Sequence, residues 1–121
     1  MTKERNIIEA AMNGDITLNE YGDFVDNVWL NDDGLELRDH FIMTVGLAGE
    51  TGEVSELLKK WVRDGNLDKT QLKKELGDVL YYLVRIATAH GIKPQEIMSF
   101  NVQKLADRWS RGKLRGSGND R

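Results

Sequence analysis

The chain has no cysteine, which excludes disulfides and thiolate chemistry and fits a reducing cytosol. It has one proline, Pro94, and little strand-like alternation, so nothing interrupts helix formation over most of its length. No apolar run approaches the roughly 20 residues a membrane-crossing helix requires. The opening MTKERNIIEAAMNGD lacks a continuous apolar core and a small-residue cleavage site, and is read as no secretion signal. There is no G-x-x-x-x-G-K-[ST], which excludes a P-loop. His40 and His90 have no second histidine three or four residues away, so the sequence offers no zinc site. The closing RGSGNDR follows no strand and is too short for a dinucleotide fingerprint.

What is present is 121 residues, 40% apolar and 31% charged, enough for one domain with one core. The net charge of −3 is unevenly placed. From Lys104 to Arg121 six basic residues face Asp107 and Asp120, a local +4, which leaves −7 on the body. An acidic body argues against a duplex-binding surface. The basic end is either a solvated tail or a segment that meets a small anion.

Helix punctuation divides the chain. Residues 1–16 form an N-terminal extension with a short helix or frayed end, broken at Asn13-Gly14-Asp15. Thr17, with Glu20 three residues on, predicts a capping box that opens a helix to about Trp29. The run NDDG (31–34) is turn chemistry. A long helix is expected from about Leu35 to Val62, stopped at Asp64-Gly65. Asp68 caps the next, whose Leu72, Leu76, Val79, Leu80, Leu83 and Ile86 recur at helical spacing until His90-Gly91. Pro94 suits the first turn of a last helix, to about Trp109. The expected fold is therefore an all-α bundle of four to five helices over residues 17–109. A basic, Gly-rich tail (110–121) follows it. Gly46, Gly49 and Gly52 inside the long helix each cost about 1 kcal/mol relative to alanine. They mark either a bare strip that something approaches closely or a break in the helix. Trp29, Trp61 and Trp109 read as core or interface residues, with base stacking as the alternative.

Two carboxylate couples carry the chemistry. Glu50 and Glu53 lie in GLAGETGEVSELLKKW, and Glu75 and Asp78 in LKKELGDVLYYLVRIA. Each couple is spaced i,i+3, so both acids project from one helix face. Packing the two helices antiparallel would gather four carboxylates beside a core. Ionised acids at that range repel, and the natural neutraliser is a hard divalent cation with oxygen ligands, Mg²⁺ or Mn²⁺.

The pattern E-x-x-E, a 21-residue spacer (54–74), then E-x-x-D, with the ELGDVL context and NVQKLADR (101–108), resembles the MazG-like all-α nucleotide pyrophosphohydrolases. The resemblance covers roughly residues 17–121. It implies Mg²⁺-dependent hydrolysis of a (deoxy)nucleoside triphosphate to the monophosphate and pyrophosphate, in control of nucleotide pools. Carried over, Glu50, Glu53, Glu75 and Asp78 would hold the ion (Mg²⁺, or Mn²⁺ in its place), with Glu50 or Glu53 as general base. Lys60, Lys104 and Arg121 become candidates for the phosphates, and Tyr82 and Asn101 for the sugar. His40 is a weaker candidate for the base pocket. The resemblance further implies a homo-oligomer, a dimer or dimer of dimers, with its active site near a subunit interface. Neither membrane nor nucleic acid is expected as a partner, and the location implied is a bacterial or phage-infected cytosol. Two other readings stay open: a non-catalytic helical interaction module, and a relative acting on a modified nucleotide or alarmone.

Overall fold

A computed structural model describes residues 6–29, 35–116 and 118. Five helices follow in order: α1 (Ile7–Met12), α2 (Leu18–Val28), α3 (Leu37–Asp64), α4 (Lys69–Ala89) and α5 (Pro94–Ser110). There is no strand among the described residues, and the fold is all-α as expected.

The boundaries have local causes. Thr17 accepts from the Glu20 amide at 3.1 Å while Glu20 accepts from the Thr17 amide at 2.9 Å, closing the capping box. Asp68 Oδ1 accepts from the Thr70 and Gln71 amides and starts α4. Gly65 ends α3 in a left-handed conformation (φ 83°) that a residue with a Cβ would adopt at a cost. Pro94 opens α5, and the cap that Lys93 cannot supply comes from α2, where Asn19 Oδ1 accepts from the Gln95 amide at 2.9 Å. The NDDG turn, residues 31–34, lies outside the described residues. The long helix is unbroken through Gly46, Gly49 and Gly52, which removes the break as an explanation of that strip.

The backbone of the fold is the α3–α4 pair. It is antiparallel, because His40 meets His90, Gly46 meets Tyr82, and Glu50 meets Asp78 and Glu75. Helix α2 crosses the C-terminal half of α4, α5 leans on α2 and α4, and α1 rests on α2. The buried apolar residues Val25, Met43, Val84 and Ala87 lie where α2 packs on α4 and α4 on α3, and Ala10 is buried on α1.

A polar and aromatic seam fastens the same region. Arg85, only 8% exposed, donates to Asp26 Oδ1 at 2.8 Å and to Thr88 Oγ1 at 3.0 Å, and its guanidinium lies 5.4 Å from the Trp29 ring centre. Trp29 Nε1 donates to Asp39 Oδ1 at 3.0 Å. A buried arginine needs such partners, because an uncompensated buried charge is far costlier than the pair it replaces. Trp29 is thus a structural residue. Trp61 and Trp109 are instead exposed on this chain.

Candidate active site

Glu50 on α3 and Glu75 and Asp78 on α4 come together. One carboxylate oxygen from each lies within 4.8 Å of the other two. The i,i+3 spacing on α4 turns Glu75 and Asp78 to one side, and the antiparallel register brings Glu50 opposite them. Glu50 and Glu75 are half-buried and Asp78 is exposed. Among the described residues no basic side chain forms an ion pair with any of the three.

Electrostatics follow from that arrangement. The Glu50 carboxyl is pushed above its ordinary range, first by burial and then by the negative charges of Asp78, Glu75 and Glu53. Gln71, one turn before Glu75, donates through Nε2 to Glu75 Oε1 at 2.6 Å and fixes that carboxylate's orientation. On α2, Tyr21 is half-buried, and its phenol is raised by burial, then by Tyr81 and Asp78. Gln71 and Tyr21 were not singled out from the sequence. Gln71 was within reach of an i,i+4 reading from Glu75, whereas Tyr21 lies on another helix and only feels the charge of Asp78, for which there is no local signal.

The other expected residues are placed as follows. Glu53, one turn beyond Glu50, is exposed and outside the three-oxygen cluster, although its charge is felt at Glu50. Lys60 is exposed further along α3 and acts on Asp64, whose carboxyl is lowered first by its bond to Arg63 and then by Lys60. Tyr82 lays its ring on Gly46. Asn101 and Lys104 are exposed on α5, which packs on α2 and α4 and not on α3. Arg121 lies outside the described residues. His40 is half-buried, with its ring 5.3 Å from that of His90 at the far end of the α3–α4 pair, away from the acids.

Three converging carboxylates with no cation beside them are a donor set of hard oxygens. Magnesium takes such ligands at about 2.0–2.1 Å, so opposite oxygens of one ion stand about 4.2 Å apart. The cluster already lies close to that span, and the residues fit a small divalent ion.

The pattern of the MazG nucleotide pyrophosphohydrolase domain matches residues 38–111. The chain belongs to this family. The match begins at the second residue of α3 and ends just after α5, so both acid couples of the MazG domain lie within it and α1 and α2 lie outside it. The chain is also similar to the Gene 37 protein of Mycobacterium phage L5. The two are 37% identical over 84 residues, which cover 65% of this chain and 74% of the phage protein. No solved structure matches the chain. Membership places it among nucleotide pyrophosphohydrolases, enzymes that act on nucleotides and typically use a divalent metal. No helix is long and apolar enough to cross a membrane among the described residues.

Proposed function

We propose that this MazG domain hydrolyses a (deoxy)nucleoside triphosphate to the monophosphate and pyrophosphate with Mg²⁺, or Mn²⁺ in its place, and so controls nucleotide pools. The observation that carries the reading is the un-neutralised cluster of Glu50, Glu75 and Asp78 in a chain of this family. Those three side chains hold the ion, with Glu53 next to them on α3. When bound, the ion neutralises charge building on the leaving pyrophosphate and orients a water for in-line attack at the α-phosphorus. Gln71 keeps Glu75 turned toward the cluster. Glu53, outside the three-oxygen cluster, is left to take the proton of the attacking water, with Glu50 as the other candidate.

On this reading the side chains that meet the phosphates and the sugar are supplied by a second copy of the chain. Lys60, Asn101 and Lys104 are exposed, and nothing within one chain turns them to the acids. The accessible surface is 9461 Å² for 13.8 kDa. A compact monomer of that mass exposes roughly 6,600 Å², and an obligate partner typically covers 1,000 Å² or more per chain. Apolar side chains stand exposed on the site-bearing helices and on α5, including Val62 on α3, Leu76 and Leu80 on α4, and Phe100 and Trp109 on α5. A homo-oligomer, dimer or dimer of dimers, buries them and brings cations to the acids. Arg121 and the basic tail belong to the same anion-binding role.

Pyrophosphate release from the eight common ribo- and deoxyribonucleoside triphosphates, in Mg²⁺, Mn²⁺ or EDTA, tests the reaction. Metal-dependent release with a monophosphate co-product is expected. Orthophosphate as the product would move the cut away from the α-phosphorus, and silence from a folded oligomer would sink the reading for these substrates.

A further inference from the structure

Glu50 sits on one helix and Glu75 and Asp78 on another, so the cluster is only as precise as the register of α3 against α4. One contact holds that register beside the site. A Cβ built on Gly46 would lie 2.5 Å from Cε1 and from Cζ of Tyr82, so the ring occupies the space a side chain at position 46 would need. Gly46 is one turn before Glu50, and Tyr82 is one turn after Asp78. The contact and the acid cluster are consecutive rungs of the same helix pair, about 6 Å apart along the axis. Gly49 and Gly52, on the same helix, meet nothing within 4 Å. Of the three glycines expected to form a strip, only Gly46 is used for close approach inside the chain.

The Tyr82 ring is itself braced. Tyr81 meets it edge-on at 5.2 Å and 82°. Tyr81 in turn stacks on Trp29 at 6.2 Å, and Trp29 is anchored to α3 by its bond to Asp39 and lies beneath Arg85. Aromatic pairs in these geometries are worth about 0.5–1.5 kcal/mol each beyond their burial. The brace therefore runs from Trp29, just after α2, through α4 to the backbone of α3. It reaches α3 one turn from Glu50.

We infer that Tyr82 is a positioning residue for the cation site: its ring, seated on Gly46 and braced by Tyr81 and Trp29, sets the helix separation at which Glu50, Glu75 and Asp78 share one divalent ion. This rests on the reading of that cluster as a cation site. It assigns the ring, and not the hydroxyl, as the part of Tyr82 that matters. A methyl at position 46 cannot coexist with the ring, and overpacked sites relieve such clashes by moving side chains and backbone. A shift of several tenths of an ångström is large against a metal–oxygen distance of about 2.1 Å.

Mn²⁺ binding to the full chain without nucleotide, followed by electron paramagnetic resonance of the free ion, tests this apart from turnover. Gly46→Ala is expected to weaken Mn²⁺ binding about tenfold or more. In EDTA it should keep its helices by far-ultraviolet circular dichroism, with a melting temperature lowered by the overpacking. Tyr82→Phe keeps the ring and should keep wild-type Mn²⁺ affinity. Tyr82→Ala loses the ring and should weaken binding as Gly46→Ala does. Should Gly46→Ala fail to fold, Tyr82→Ala carries the test alone. Wild-type affinity in a folded Gly46→Ala or Tyr82→Ala chain overturns the inference and leaves the cation site standing. A wild-type chain that binds no Mn²⁺ overturns both.

Discussion

The two halves of the α3–α4 pair are built differently. In the half that holds Met43 and Val84, α2 packs on α4, side chains are fully buried, and short bonds tie Asp26 to Arg85 and Trp29 to Asp39. In the other half, from Thr44 through Leu83, no residue is buried at all. The acids are in this second half. The chain thus separates its buried core from its acid cluster along a single helix pair: one end is covered where α2 packs on α4, and the end that carries the acids has no buried residue. A cation-binding cluster needs access and unpaired oxygens, and both are at odds with a dry core.

Substitutions on either side of that divide should behave differently. The largest effect is expected at the acids. Glu50→Gln or Asp78→Asn should cut metal-dependent pyrophosphate release by a factor on the order of 10³, since the ion's charge stabilisation is worth several kcal/mol. Far-ultraviolet circular dichroism should show the helices intact. Turnover near wild type in either variant would remove that side chain from the site. In the covered half the same kind of change acts on the fold. Met43→Ala leaves a cavity at a fully buried position and should cost about 3 kcal/mol by urea denaturation. A cost under about 1 kcal/mol would contradict the picture of a closed half.

Gln71→Ala sharpens the comparison at intermediate size. Loss of the bond to Glu75 should weaken Mn²⁺ binding about tenfold, in line with groups that orient metal ligands, and leave the melting temperature in EDTA unchanged. Acidity supplies a further test. The native Glu50 carboxyl is raised above the unfolded value near 4.5, mainly by burial and then by Asp78, Glu75 and Glu53. The ionised group therefore opposes folding at neutral pH. As pH falls toward the ordinary carboxylate range the native state takes up the proton first, so the metal-free protein should become more stable. Glu50→Gln should remove that gain in thermal melts run in EDTA, and a rise that persists in the variant would assign it elsewhere. The smallest change is remote from both halves: Thr17→Ala breaks the α2 capping box and should cost about 1 kcal/mol.

Much of this was legible in the sequence, because it rests on local rules. The Thr17–Glu20 box, the Asp68 cap, Pro94 at the head of α5 and the stop at Gly65 each depend on residues within four positions of one another. The acid couples were legible for the same reason. The brace was not. Asp26 and Arg85 are 59 residues apart, and nothing in either local pattern marks the other. His40 and His90 looked isolated for the same reason, and meet only because α3 and α4 run antiparallel. The glycine strip was legible as composition, but its meaning differed by position: the structure uses Gly46 and leaves Gly49 and Gly52 open. Lys60, Asn101 and Lys104 are exposed and lie apart from the acids within the chain, which local pattern could not tell.

The short connection between Gly65 and Asp68 has a consequence for how the molecule is made. Every residue of the acid cluster lies between positions 50 and 78, in one helical hairpin whose loop is a few residues long. Closing so short a loop costs little chain entropy, and contacts this local form early. On a ribosome the acids would be able to meet as soon as α4 emerged, before α5 had cleared the exit tunnel. Mutual repulsion of the three carboxylates would then act on that hairpin before α5 can pack against it.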